Sequence, residues 1–128
     1  MQREHAPIIA LKRAYERYEK DDGFRVLVER LWPRGVTKNR ARIDLWLKDV
    51  APSPALRTWF GHEPKRWKQF KQKYFAELDK VPEPIDILQA HARQGKITFV
   101  YGSKEERYNS AVALKEYISD VKSNQKGV

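Results

Sequence analysis

The alternation of apolar and polar positions predicts three short strands, two near the start of the chain and one near its end. Residues 8–15 alternate, with Ile9, Leu11 and Tyr15 on one face. A turn signal at residues 21–23 introduces residues 24–31, whose Val-rich centre is typical of a strand covered on both faces. Residues 96–101 are a third apolar run, rich in β-branched and aromatic side chains.

The middle of the chain follows a helical period. Ser53 as N-cap and Pro54 as first residue predict a short helix that ends at Gly61. A second helix begins at Pro64, residues 81–84 form a linker, and further helices cover residues 85–94 and about 105–121. Residues 43–50 have a helical apolar stripe after a cap at Thr37, but they also alternate as a strand does.

This order of elements predicts an α/β fold with one domain over residues 1–128. A small sheet of residues 8–15, 24–31 and 96–101 is covered by helices in two or three layers. We expect the first two strands to form an antiparallel hairpin and the last strand to lie beside the second through the helical crossover. Residues 123–128 are predicted to be a disordered tail.

Composition narrows the kind of protein. A chain of 128 residues can bury a core unaided, and the absence of cysteine excludes disulfides, thiolate catalysis and cysteine-ligated metals. No apolar run is long enough to cross a bilayer and the start is polar, so we expect a cytoplasmic protein with no membrane partner. His5, His62 and His91 show no ligand spacing, so no metal and no other cofactor is expected. The oligomeric state stays open.

The positive charge is concentrated in two places. The net charge is +9, and residues 30–42 and 65–73 each hold five basic residues and no acid. Local positive charge favours an anionic partner. The second stretch predicts an amphipathic helix that either contacts nucleic acid nonspecifically or is simply a solvated face. Its basic residues are Lys65, Arg66, Lys68, Lys71 and Lys73.

Two loops are candidates for a binding site because each follows a buried strand and precedes a helix. If their strands are parallel, residues 30–37 and 101–104 meet at one edge of the sheet, where α/β proteins bind ligands. The predicted ligand-binding residues are Arg30, Trp32, Arg34, Tyr101, Ser103, Lys104 and Asn109. Glu29 and Asp49 are the candidates for acid–base catalysis.

These residues favour a domain that binds the phosphate of a nucleotide or a nucleic acid, since Arg, Lys and Ser are typical phosphate ligands. A small enzyme acting on a phosphorylated or nucleoside-like substrate is the first alternative. A protein-interaction or regulatory module that uses the basic helix of residues 65–73 is the second.

The same residues resemble the DUF488 family, in particular its YeaO-like branch, over about residues 8–118. The resemblance depends on Asp22–Gly35, which includes the Arg-Leu-Trp-Pro-Arg-Gly string, and on the shorter matches that follow. Those matches are Trp46–Ser53, Leu56, Arg57, Trp59, Phe60, His62, Trp67, Phe70, Tyr101, Lys104, Asn109 and Ala111. The family commonly has Asp at the position of Glu29 and His at that of Tyr108. The resemblance implies a compact α/β domain and no established reaction.

Overall fold

Four β-strands and five α-helices make up residues 8–126, the part of the chain that the computed structural model describes, with side chains described for residues 8–120. In chain order the elements are β1 (Ile9–Arg13), β2 (Phe24–Leu27), α1 (Lys38–Ala41), β3 (Leu45–Trp46), α2 (Pro54–Phe60), α3 (Trp67–Leu78), α4 (Pro82–Gln94), β4 (Ile97–Tyr101) and α5 (Ser110–Lys126). Single 3-10 turns lie at Lys20–Asp22, Lys48–Val50 and Pro64–Arg66.

The strands form one parallel sheet in the order β1-β4-β2-β3. The α/β prediction is confirmed, as is the place of the last strand beside the second. The predicted β1–β2 hairpin is wrong, because β4 lies between these strands and pairs with both. All five residues of β4 are buried, as expected for a strand in the middle of a parallel sheet. After β1 the chain therefore passes over the position that β4 later fills and forms β2 on its far side.

The two faces of the sheet are covered differently. Val26 and Phe99 point into the main core, to which α2, α3, α4 and α5 all contribute. Leu27 and Val100 point to the other face, where a smaller cluster contains Val36 and the end of α1. The prediction of helical cover therefore holds for one face, and residues 30–46 cover the other.

Several predicted element boundaries move. The strand predicted over residues 24–31 ends at Leu27, so residues 28–31 belong to the following loop. The helical interpretation of residues 43–50 is wrong: Leu45 and Leu47 pack in the main core while Trp46 packs in the smaller one, as in a strand. Helix α4 begins at Pro82, inside the predicted linker.

The last helix begins at Ser110 instead of Glu105, because residues 105–109 form a capped turn. The Glu105 carboxylate accepts hydrogen bonds from the N–H groups of Arg107 and Tyr108, and the Asn109 side chain accepts one from Val112. The helix continues to Lys126, through part of the predicted tail; residues 127 and 128 lie outside the described residues.

The predicted caps of α2 are confirmed. The Ser53 hydroxyl accepts a hydrogen bond from the Leu56 N–H at 3.2 Å, and Pro54 is the first helical residue. Gly61 ends the helix in the left-handed conformation. Thr37 caps α1 by the same kind of bond, to the Arg40 N–H.

Candidate functional site

A cleft of about 590 Å³ lies at the carboxyl ends of β2 and β4. Both strands end at this edge because they are parallel, with Leu27 paired to Val100. The loop after β2, the loop after β4, helix α2 and the start of α5 form the walls. The lining residues are Glu29, Leu31, Pro33, Pro52, Pro54, Arg57, Thr58, Phe60, His62, Phe70, Gly102, Ser103, Tyr108, Asn109 and Ser110.

Direct hydrogen bonds hold the loops of this edge in place. The Glu29 carboxylate accepts a bond from the Gly102 N–H at 3.1 Å, which joins the loop after β2 to the loop after β4. Arg13, at the end of β1, donates from Nε to the Ser103 carbonyl at 2.9 Å. Tyr15 donates to the Arg34 carbonyl at 3.0 Å. Loops from three strands are thus connected, and the cleft has a fixed outline.

The basic and acidic side chains that line the cleft are Arg57, His62 and Glu29. Arg57 lies in the last turn of α2, and no ion pair in the described part of the chain includes it. His62 has a φ of 57°, which is strained for a side chain other than glycine and is a kind of strain concentrated at binding sites. Its ring centroid lies 6.1 Å from that of Phe60.

Below the cleft, Tyr74 is a fully buried phenol whose hydroxyl donates to the Val50 carbonyl. Burial raises the pKa of Tyr74, and the nearby Glu29 and Glu77 carboxylates raise it further. The Tyr74 ring lies 5.6 Å from that of Phe70, which lines the cleft. At the rim, the N–H groups of Arg107 and Tyr108 lower the pKa of Glu105, and His62 adds to this lowering.

The structure brings together only some of the predicted ligand-binding residues. Ser103 and Asn109 line the cleft. Both polar atoms of the Asn109 amide are already used, since Nδ2 donates to the Glu105 carbonyl and Oδ1 accepts from the Val112 N–H. The Ser103 hydroxyl accepts from the Glu105 N–H at 3.0 Å. Its own proton is free to be donated to a ligand.

The other five predicted ligand-binding residues lie outside the lining of the cleft. Trp32 donates to the Val36 carbonyl and packs edge-to-face on Trp46, and Tyr101 is only 3% exposed, within the core. Arg34 and Lys104 are exposed on the two loops.

Arg30 lies behind the cleft wall, where it has a structural part. Its Nη2 bonds the carbonyls of Ala51 and Pro52, each at 3.3 Å, and its Nε is buried without a hydrogen-bond partner. Arg30 therefore positions the chain that leads into α2.

The catalytic candidates are separated as well. Glu29 lines the cleft. Asp49 is exposed on the 3-10 turn Lys48–Val50, outside the cleft lining. Arg57, Thr58 and His62 were not among the ligand-binding residues predicted from the sequence, although all three line the cleft. The sequence identified Arg57 and His62 as positions that match the family, and they reach the cleft because α2 packs beside α3.

The basic stretch at residues 65–73 is largely occupied by contacts within the chain. Arg66 and Lys73 both lie over the Trp59 ring, each 5.3 Å from its centroid. Lys71 forms an ion pair with Glu116 at 3.0 Å. Lys65 and Lys68 have neither an ion pair nor an aromatic contact among the described residues. Three of the five basic side chains of this face are thus held against other side chains, and Lys71 is the one among them that has a carboxylate partner in the described chain.

Two negative findings hold for residues 8–126. None of the helices there is both long and apolar enough to cross a bilayer. In the same range, no three His, Asp or Glu side chains come together as a metal site requires.

The fold and the cleft together define a small parallel α/β domain with a ligand-sized cavity at the carboxyl edge of its sheet. The chain belongs to the DUF488 family: residues 8–127 match the group described as the inactive DUF488-N3 subclade. The resemblance noted in the sequence is thereby confirmed.

Three relatives illustrate how far the similarity extends. The chain is 36% identical to the uncharacterized protein YeaO of Escherichia coli (strain K12) over 110 residues, 86% of this chain and 96% of that protein. It is 47% identical over 70 residues to uncharacterized proteins of Mycobacterium tuberculosis (strain ATCC 25618 / H37Rv) and Mycobacterium bovis. That match covers 55% of this chain and about 59% of each mycobacterial protein. No solved structure matches the chain.

Proposed function

We propose that the protein is a cytoplasmic domain that binds a nucleotide in the cleft at the carboxyl edge of its sheet and does not convert it. The observation that carries the proposal is the meeting of both strand-end loops with Arg57 and the start of α5 around one cavity. Its volume of about 590 Å³ lies within the range of about 300–1,000 Å³ that is usual for small-molecule sites.

Several lining residues suit a phosphate group. Arg57 offers a guanidinium fork without a carboxylate partner, and His62 and the Ser110 hydroxyl lie on the same lining. Helix α5 has 17 residues and begins at Ser110 in the cleft lining, so the positive end of its dipole lies there. These groups together favour a doubly charged anion over a neutral ligand.

Other lining residues suit a sugar or a base. Glu29 uses one carboxylate oxygen for the Gly102 N–H, and the second oxygen is an acceptor for ribose hydroxyls or a base amino group. Leu31, 73% exposed at the rim, and Tyr108 add apolar and aromatic surface. The Glu29 carboxylate repels a free phosphate ion. A nucleotide fits better, because the hydrogen-bond donors of its sugar or base can bond Glu29 while its phosphate bonds Arg57.

Binding without turnover is supported by the description of the matching subclade as inactive and by the presence of a single carboxylate in the cleft. Glu29 still favours the enzyme alternative as second candidate, because a half-buried carboxylate in a cleft can accept a proton. Such an enzyme would act on a nucleoside phosphate, and Glu29→Gln would abolish its activity.

Calorimetric titration of the full chain with AMP, adenosine and inorganic phosphate tests the proposal. We expect AMP to bind more tightly than adenosine or phosphate. Arg57→Gln should weaken the binding of AMP about tenfold or more, since it removes a charge-assisted hydrogen bond. The binding of adenosine should be nearly unchanged. Lys115→Gln, an exposed change on α5, is the control and should bind AMP as the parent does.

Two results would overturn the proposal. Absence of AMP binding at low salt, or equal binding by the parent and Arg57→Gln, would remove the site. Chromatography of AMP after prolonged incubation distinguishes the enzyme alternative: a product that disappears with Glu29→Gln would replace the binding proposal with a catalytic one.

A further inference from the structure

A second concave site lies at the opposite, amino edge of the sheet. It is a polar pocket of about 510 Å³ beside the start of β2 and the residues that lead into β3. Its lining residues are Tyr18, Gly23, Lys38, Asn39, Arg42, Ile43 and Asp44. None of them belongs to the lining of the carboxyl-edge cleft, so the two sites are separate.

The pocket is held by a buried framework. Arg25, only 1% exposed, donates from Nε and Nη2 to the Ala41 carbonyl at 3.1 and 2.7 Å, which fixes the end of α1. Its main-chain N–H donates to the Asp44 carboxylate at 2.8 Å. These bonds hold the end of α1, the helix on which Lys38 and Arg40 lie, against the buried Arg25 side chain.

The cations at this pocket are not neutralised within the described chain. Arg42 follows α1 in the left-handed conformation, with a φ of 49°, and its guanidinium lies 4.7 Å from the Tyr18 ring centroid. No described ion pair includes Lys38, Arg40 or Arg42. Asp44 is the only acid in the lining. The pocket therefore keeps a net positive charge.

The ligand is identified by two features. The Tyr18 ring has Arg42 and Arg25 over it, at 4.7 and 5.5 Å, so cations already occupy the neighbourhood in which a base would stack. Lys38 and Arg40 on α1 and Arg42 directly after it are all exposed. Arg40 lies outside the pocket lining, so the positive surface extends beyond the pocket. Charge without a stacking face is typical of sequence-independent contact with a phosphate backbone.

We propose that Lys38 and Arg42 bind backbone phosphates of a nucleic acid at the amino edge of the sheet, independently of the nucleotide cleft. The basic stretch of residues 30–42 is then divided in function. Its first part builds the carboxyl edge, and Lys38, Arg40 and Arg42 contact the polyanion.

Binding of a fluorescein-labelled 16-base-pair DNA duplex to the full chain, followed by anisotropy at several salt concentrations, tests this proposal. The double variant Lys38→Gln/Arg42→Asn removes both charges, and Asn tolerates the left-handed backbone at position 42. We expect weaker binding at every salt concentration and a log–log salt slope about 2 units shallower. Arg57→Gln and Lys115→Gln should leave this binding unchanged.

Three results would overturn it: no duplex binding at low salt, an unchanged slope in the double variant, or loss of duplex binding in Arg57→Gln. Capture of polyglutamate but not of the duplex would identify an acidic protein as the partner and would also contradict it. Because the AMP titration reports the other edge, failure of one proposal leaves the other measurable.

Discussion

The buried ion pairs at the amino edge of the sheet and the charged residues of the carboxyl-edge cleft differ in how many partners they have within the chain. At the amino edge, buried Asp22 accepts hydrogen bonds from Arg25 at 2.6 Å, Lys12 at 3.0 Å and the Glu19 N–H at 3.0 Å. At the carboxyl edge, Glu29 accepts one backbone N–H, and Arg57 forms no ion pair among the described residues. Asp22, whose bonds join several parts of the chain, is a structural residue, whereas Glu29 and Arg57 have few partners and remain available to a ligand.

This difference qualifies what local charge in a sequence indicates. The two basic stretches have the same charge, yet the one at residues 65–73 contacts Trp59 and Glu116. In the stretch at residues 30–42, Arg30 bonds two carbonyls and Arg42 lies over the Tyr18 ring, but no ion pair within the described chain includes a residue of this stretch. The number of partners that each cation already has is a better guide to a binding site than charge density.

Removing Asp22 should have the largest effect on stability. Asp22→Ala leaves the buried Arg25 guanidinium without its anion, and breaking such a pair costs about 3–5 kcal/mol. Denaturant unfolding should show this loss in the free energy of unfolding. Glu29→Gln is the matched change at the other edge and should cost less than about 1 kcal/mol; equal losses would contradict the contrast between the edges.

Gly23, which also lies at the amino edge, should tolerate no side chain. Its φ is 69°, and a Cβ atom built there would lie 2.3 Å from the Lys96 carbonyl oxygen. Gly23→Ala should therefore cost about 3 kcal/mol, from the left-handed conformation together with the displaced backbone. Thermal unfolding measures this. Gly102→Ala, where a Cβ atom would meet nothing within 4 Å, is the control at the cleft and should be much milder.

The pH dependence of stability should originate mainly at the amino edge. Burial alone would raise the pKa of Asp22, but the Glu19 N–H, Lys12 and Arg25 outweigh it and hold this pKa below its ordinary value of 3.8. A lowered folded pKa stabilises the protein above the unfolded pKa, and that contribution is lost as pH falls through the folded value.

Unfolding measured from pH 6 down to pH 3 should therefore show a falling free energy of unfolding. The fall should be clearly smaller in Asp22→Asn, which has no carboxylate to titrate. An identical acid profile in the parent and Asp22→Asn would show that other carboxylates dominate.

The predictable part of this molecule is its local structure. Ser53, Pro54 and Gly61 mark α2 because caps depend on neighbours in the chain, and the apolar run of residues 97–101 marks β4 for the same reason. Strand order was not predictable from neighbours, since it depends on which strand takes the buried centre.

The candidate site was predictable only in outline. The two loops meet around one cleft, as parallel strands require. The predicted side chains came from the two strand-end loops and the residues after them, however, whereas Arg57 and His62 come from α2 and the residue after its glycine cap. Their position depends on helix packing, which no spacing in the sequence reveals.

Ser53 should have a moderate effect, because it connects the frame of the cleft to α3. Its hydroxyl and N–H both donate to the Glu77 carboxylate, at 2.6 and 2.9 Å, and the hydroxyl caps α2. Ser53→Ala should destabilise the protein by about 1–2 kcal/mol. Ser119→Ala on the exposed face of α5 should be neutral, and equal losses in the two variants would show that the cap contributes nothing.

Arg57→Gln should have the smallest effect on stability of these changes, within about 0.5 kcal/mol, because the side chain is exposed and has no ion pair. Its loss of AMP affinity should nevertheless be about tenfold or more. Thermal unfolding beside calorimetry separates the two quantities. A variant that loses stability and affinity together would place Arg57 in the framework and not at the ligand.

The most direct test of the central claim is a map of the amides that respond to AMP in the isotope-labelled protein. The account predicts chemical-shift changes at Gly102, Ser103 and Ser110, with saturation, and none at Gly23 or Asn39. No saturable change, or changes confined to Gly23 and Asn39, would contradict a nucleotide site at the carboxyl edge of the sheet.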